Sequence, residues 1–160
     1  MTSMFDHQAA VALLSQTDLF SRLSPPLLEA VAKVTRAVVF ETDTVIVRQG
    51  DTGSELYIIA EGSVVVVREE PNLGVEQVLS ERRSPESFGE MSLLTEAPRA
   101  ATVRALEPTT CLVLAKASFD SVLEKLPQVA VEISRYLAMR LAQQLGGMGL
   151  ETVPSGSCDC

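Results

Sequence analysis

The stretch at residues 87–105, SFGEMSLLTEAPRAATVRA, brings a glycine, a carboxylate, a proline and a guanidinium into one loop. Gly89 has no side chain, so the main chain there can approach a ligand closely. Glu90 opens a short apolar turn, which predicts one or two turns of helix with free N–H groups at its start. Pro98 ends that turn, and Arg99 follows in an extended segment. A guanidinium, a carboxylate and free amides suit a phosphate attached to a hydroxylated sugar.

Length, composition and charge limit the classes to which this protein can belong. The 160 residues are 46% hydrophobic and 21% charged, which predicts one folded domain with a sizeable core. Nucleic-acid-binding proteins typically have a basic surface, whereas this chain has a net charge of −8, so we expect no nucleic-acid partner. The three cysteines form no disulfide framework, and no signal peptide or membrane-spanning run is recognised. We therefore expect a cytoplasmic protein without a membrane partner.

Helices are predicted on both sides of a central β-region. The first helical part covers residues 9–35, where Ser24 and Pro25 form an N-cap and first-turn pair. The second helical part covers residues 118–145, with Ser118 as the predicted cap of its first helix and Pro127 at the start of a longer one.

The central region, residues 38–115, consists of short apolar stretches separated by Gly/Asp turns. This pattern is typical of an antiparallel barrel or sandwich, and we predict a jelly-roll-like β-barrel. Residues 64–67 are all valine, which indicates a strand covered on both faces, and Cys111 is expected in the core.

The last predicted helix carries an apolar residue at every fourth position: Val129, Ile133, Leu137, Leu141 and Leu145. Each step of four residues advances about 40° around a helix, so the stripe rotates by roughly 160° along its length. Its first half can face the β-region, whereas its last half must face something else. The helix is predicted to end at Gly146 and Gly147. The domain then covers residues 1–145, and residues 146–160 form a flexible tail.

The loop resembles the phosphate-binding cassette of the cyclic nucleotide-binding domain family. The resemblance rests on Phe88-Gly89-Glu90, Leu93-Leu94 and Pro98-Arg99-Ala100-Ala101-Thr102-Val103. It extends over residues 19–145, where the family's turn and strand pattern is matched by Gln49-Gly50-Asp51, Tyr57-Ile58-Ile59 and Gly62-Ser63-Val64. It implies a mainly β fold with flanking helices: a cupin-like double-stranded β-helix with N-terminal helices and a C-terminal helix that acts as a lid and dimerises.

The resemblance also implies roles for individual residues. Arg99 is expected to bind the phosphate and Glu90 the ribose 2′-hydroxyl. An alanine at position 100, where a hydroxyl residue is associated with cGMP, favours cAMP as the ligand. The main-chain contacts are expected at Gly89, Met91, Ala100 and Ala101, the walls of the purine and ribose site at Val64, Val66 and Leu79, and the cover of the base at Gln144, Leu145 or Tyr136. Plain core packing explains the wall residues equally well.

The function expected from these residues is regulatory binding of a cyclic nucleotide, without catalysis. Ligand binding closes the last helix, which signals to a second subunit in a homodimer or to an unidentified effector protein. Cupin-like enzymes use a histidine-rich metal cage, whereas this chain has one histidine, His7, in a predicted tail, and no metal is expected. Two alternatives remain: a ligand-free barrel that binds proteins, or the sensor fragment of a larger transcription factor, channel or enzyme. The Cys158-Asp159-Cys160 end is interpreted as an unstructured tail.

Overall fold

The computed structural model describes residues 6–95 and 97–150. The elements follow the predicted order of helices, strands and helices, with a short helix inside the cassette. They are α1 (His7–Ser15), α2 (Pro25–Lys33), β1 (Thr35–Phe40), β2 (Val45–Val47), β3 (Glu55–Glu61), β4 (Ser63–Glu70), β5 (Val75–Arg83), β6 (Ser87–Phe88), α3 (Glu90–Leu94), β7 (Thr102–Ala105), β8 (Thr109–Ala115), α4 (Lys116–Lys125) and α5 (Pro127–Leu150). His7 therefore begins a helix, and its predicted place in a tail is wrong.

The eight strands form two antiparallel sheets. One has the strand order β1-β8-β3-β6 and the other β2-β7-β4-β5. The prediction of a mainly β, antiparallel domain with flanking helices is confirmed. Closure into a barrel is not, because the described strands form two separate four-stranded sheets.

Strands β3 and β8 separate two apolar cores. Alternate residues of a strand point to opposite faces. Ile58 and Leu112 accordingly pack with the helices, whereas Tyr57 and Val113 pack between the two sheets. All four valines at residues 64–67 are buried, as their unbroken apolar run predicts. Cys111 is also buried in the inter-sheet core, and burial raises the pKa of its thiol to about 12.

The helix starts are explained by local contacts. Asp6 caps α1 by accepting a hydrogen bond from the Ala9 amide at 2.8 Å. Ser24 stands at the N-cap of α2 as predicted, although its side chain makes no capping hydrogen bond. The predicted cap at Ser118 is wrong: β8 runs directly into α4, whose first residue, Lys116, donates its amide to the Ser54 carbonyl at 2.7 Å.

Helix α5 confirms the rotation of the apolar stripe. Val129 and Ile133 are buried in the core beside the helices, whereas Leu141 and Leu145 are 55% and 57% exposed. The predicted end at Gly146 is wrong, because α5 continues to Leu150. Gly146 does not adopt the left-handed conformation that ends many helices at a glycine. Residues 151–160, including Cys158 and Cys160, lie outside the described part of the chain. Among the described helices, none is long and apolar enough to cross a membrane.

Candidate ligand-binding site

The cassette begins with a tight turn between β6 and α3. Gly89 is its central residue, with a φ of 87° that side-chain-bearing residues rarely adopt. A Cβ atom at this position would also lie 2.5 Å from Arg99 Nη1 and 2.7 Å from the Glu55 carbonyl oxygen. Glycine is thus required both for the backbone conformation and for the close approach of Arg99.

Arg99 lies inside the protein and is 8% exposed. Its Nη2 donates a hydrogen bond to the Glu55 carbonyl oxygen at 3.1 Å, and its Cζ lies 5.8 Å from the centre of the Tyr57 ring. The main chain is held too: the Arg99 amide donates to the Asp51 carbonyl and the Arg99 carbonyl accepts from the Gly50 amide, each at 2.9 Å. These contacts fix the arginine in one place against strand β3.

The guanidinium retains unused hydrogen-bonding capacity. Arg99 Nη1 is buried and has no hydrogen-bond partner among the described residues. Burial also lowers the pKa of Arg99 below its ordinary value, because the buried guanidinium loses hydration. A cavity of about 340 Å³ opens beside this side chain, next to the turn at residues 51–54. A buried cation with a spare donor beside a cavity is suited to bind an anion.

Tyr57 connects Arg99 to a group of charges on β1 and β3. Its hydroxyl donates to Glu55 Oε1 at 3.0 Å, while Glu55 Oε2 lies 2.6 Å from Arg36 Nη2. Burial, followed by the nearby Glu55 carboxylate, raises the pKa of Tyr57 to about 12. The Tyr57 ring also stacks on Phe88, with centroids 5.0 Å apart. The ring under the arginine is therefore held rigidly and stays protonated at neutral pH.

The Glu90 carboxylate points away from Arg99. Its Oε1 accepts from Ser87 Oγ at 2.7 Å, and its Oε2 lies 3.4 Å from Arg140 Nη1 on α5. Glu90 lines a second cavity of about 370 Å³, together with Tyr136 and Arg140, and Arg99 does not line this cavity. The structure thus places Glu90 and Arg99 on different cavities, with Glu90 facing the last helix.

The other predicted site residues are divided between core and surface. Val64, Val66 and Ala101 are buried between the sheets, with Leu79 packed against them. Met91, Ala100 and Gln144 lie on the surface. Tyr136 is placed beside Glu90, where its hydroxyl accepts a hydrogen bond from Arg140 at 3.3 Å.

Three residues of the site were missed at the level of sequence. Gly53 lies directly under the Arg99 guanidinium, Tyr57 lies beside it, and Arg140 pairs with Glu90. Gly53 belongs to one of the Gly/Asp turns predicted between the strands, but no local pattern shows which distant side chain rests on it. Among the described residues, no group of histidine, cysteine and acidic side chains is arranged to hold a metal ion.

A buried arginine with a spare donor, held against a glycine turn of a β-sandwich, is an arrangement suited to bind a small anion. Residues 37–126 match the family described as "Cyclic nucleotide-binding domain", and the chain belongs to this family. The family expected from the cassette residues is thereby confirmed.

Similar proteins include regulatory proteins from eukaryotes and bacteria. A cAMP-dependent protein kinase regulatory subunit from Dictyostelium discoideum is 39% identical over 112 residues, which are 69% of this chain and 32% of that protein. A cyclic AMP receptor protein from Thermus thermophilus is 34% identical over 125 residues, 78% of this chain and 57% of that protein. The crystal structure of the N-terminal domain of a transcriptional regulator from Streptomyces coelicolor A3(2) superposes with a TM-score of 0.79 at 28% identity, covering 91% of this chain and 99% of that one. The chain spans about a third of the length of the kinase subunit.

Proposed function

We propose that this chain is a non-enzymatic regulatory module of the cytoplasm that binds a cyclic nucleotide, with cAMP preferred. The observation that carries the proposal is the buried Arg99, whose Nη1 has no partner among the described residues and whose side chain lines a cavity of about 340 Å³. This volume is within the range of small-molecule sites. A cyclic phosphate supplies the negative charge and the acceptor oxygens that the guanidinium lacks.

The choice of cAMP rests on Ala100 and on the similar proteins. An alanine after the cassette arginine has no hydroxyl to meet a guanine base. Two of the similar proteins are named for cAMP, a cAMP-dependent kinase subunit and a cyclic AMP receptor protein. Competition between cAMP and cGMP for the same site tests this preference, and stronger competition by cGMP would contradict it.

Glu90 offers a route from the ligand to helix α5. Glu90 does not line the Arg99 cavity, so we expect its carboxylate to turn from Ser87 and Arg140 of α5 when the ligand binds and to accept a hydrogen bond from the ribose 2′-hydroxyl. A ligand that changes this pairing favours one position of α5, by no more than its difference in affinity for the two positions. The exposed Leu141 and Leu145 of that helix are the surface for a second copy of the chain or an effector. A 2′-deoxy analogue that binds as well as cAMP would contradict the role of Glu90.

The test of binding is calorimetric titration of the wild-type chain and of Arg99→Ala with cAMP. Loss of the countercharge to a buried phosphate is expected to cost at least ~3 kcal/mol, or roughly 150-fold in affinity. The matched control is Arg135→Ala, because Arg135 is an exposed arginine of α5 whose ion-pair partner among the described residues is Glu132. Equal affinity of wild type and Arg99→Ala would refute the proposal.

A second candidate function is that of a domain that binds proteins without a nucleotide. The exposed leucines of α5 favour it, because they offer an interaction surface that needs no ligand. A thermal-shift measurement with cAMP separates the two functions: a ligand present at 100 times its dissociation constant adds about 2.7 kcal/mol to the stability of its binding protein. Absence of any shift at millimolar cAMP would favour the second function. Both functions are compatible with a module that stands alone and with one that is the sensor of a longer protein.

A further inference from the structure

The position of Arg99 depends on a turn that lies far from it in sequence. Both main-chain polar groups of Arg99 bind this turn, through the Asp51 carbonyl and the Gly50 amide at 2.9 Å each. An isolated β-bridge between Thr52 and Pro98 extends the same pairing by one position. Any movement of the turn at residues 50–53 therefore moves the arginine.

Strand β3 holds the end of this turn, but little regular structure holds its beginning in place. The strand before it, β2, has only three residues, and its pairing with β7 contains a register shift between Val45 and Val47. Pairing of β4 with β7 ends at Val67 and Thr102. Beyond that point the main chain of Glu69 has no β7 residue opposite it, and the turn needs another connection to the sheet.

Gln49 supplies this connection with its side chain. Its Oε1 accepts a hydrogen bond from the Glu69 amide at 2.7 Å, and its Nε2 donates to the Glu69 carbonyl at 3.2 Å. The main-chain amide of Gln49 donates to Thr102 Oγ1 at 2.9 Å. A carboxamide is both donor and acceptor, so it can pair with one residue of β4 as a neighbouring strand would.

We propose that Gln49 is a positioning residue for the phosphate-binding arginine, a role that rests on the proposed function. Gln49 fixes the turn to β4, and the turn fixes the main chain of Arg99. The guanidinium is thereby held ready at its cavity before the ligand arrives, and the protein avoids ordering it at the time of binding. Leucine at position 49 fills similar space but makes neither hydrogen bond.

The experiment is a double-mutant cycle of Gln49→Leu and Arg99→Ala in the full chain, with cAMP as the probe. Binding is followed by NMR titration to millimolar cAMP, so that weak binding stays measurable. We expect Gln49→Leu to weaken binding by about tenfold in the wild-type background and to have almost no effect in the Arg99→Ala background, because residues that act as a unit are not additive. Gln77→Leu, at an exposed glutamine of β5, is the control and is expected to bind as the wild type does.

The outcomes separate this proposal from the proposed function. Equal weakening by Gln49→Leu in both backgrounds, or no weakening in either, would overturn the role of Gln49 while cAMP binding by the wild type stands. Failure of the wild type to bind cAMP would overturn both. Hydrogen exchange in the ligand-free protein is a measurement that needs no binding: the Gly50 and Arg99 amides are expected to exchange faster in Gln49→Leu, and unchanged exchange would also overturn the proposal.

Discussion

Substitution of Gly53 by alanine tests the placement of Arg99 directly. The three atoms nearest to an added Cβ are Nε, Cζ and Nη2 of Arg99, all closer than 3.0 Å, which real Cβ contacts do not show. The guanidinium must leave its position and lose the Nη2 hydrogen bond to the Glu55 carbonyl. A hydrogen bond from a charged donor contributes about 1.5–3 kcal/mol, so we expect a loss of roughly 2 kcal/mol in the free energy of unfolding. The affinity for cAMP is expected to fall at least tenfold, which is ~1.4 kcal/mol of binding free energy.

The assay is urea denaturation and calorimetric titration of Gly53→Ala, alone and combined with Arg99→Ala. Gly53 has no left-handed backbone, and truncation of the arginine removes all three of those nearest atoms. The substitution is therefore expected to be close to neutral in the double variant. Gly146→Ala is the control, because nothing lies within 4 Å of its added Cβ. An equal loss of stability in both backgrounds, or undiminished binding by Gly53→Ala, would refute the reasoning.

Three further predictions concern the tyrosine, the last helix and the Glu90 pair. Stability is expected to fall as the pH rises from 10 to about 12, because the folded protein holds the Tyr57 proton more tightly than the unfolded chain. Tyr57→Phe lowers this slope in urea titrations across that range, and the slope that remains comes from Cys111 and Tyr136, whose pKa values burial also raises. Ile133→Ala, in the core, is expected to lower the free energy of unfolding by about 2–5 kcal/mol. Leu141→Ala changes an exposed residue and is expected to lower it by less than about 0.5 kcal/mol in dilute protein. A large loss at Leu141 that depends on protein concentration would show that a second copy covers this residue. Arg140→Ala removes a partly exposed ion pair with Glu90, so the free energy of unfolding should change by under ~1 kcal/mol. The difference from the wild type should shrink in 1 M salt, which screens the pair. A difference that persists in salt would mean that Arg140 stabilises the protein through a contact other than this ion pair.

The sequence predicted those elements whose signals are local. Gly/Asp turns bound the strands β3 and β4, and the unbroken valines of β4 indicate cover on both faces, as observed. The two-residue strand β6 was missed because it is too short to show a period, and its pairing with Tyr57 and Ile58 is set by tertiary packing. The end of α5 was misplaced because a glycine lowers helix propensity without forcing the chain to leave the helix.

The candidate site was predictable only in part, because local signals in the sequence do not show contacts between distant segments. Arg99 and Glu90 were identified from the cassette pattern, because that pattern consists of particular residue types at set distances along the chain. The partners of these side chains come from distant segments: the Glu55 carbonyl is 44 positions from Arg99, and Arg140 is 50 positions from Glu90. Such pairings depend on how the sheets and α5 pack, so the separate directions of the two side chains became visible only in three dimensions.

The aromatic composition of the protein gives the site a natural optical reporter. The chain has no tryptophan and only two tyrosines. Tyr57 lies beside the Arg99 guanidinium, and Tyr136 lines the cavity of Glu90 next to α5. Tyrosine emission of the unlabelled protein therefore originates from the two halves of the site, and fluorotyrosine would give one ¹⁹F resonance for the anion pocket and another for the helix.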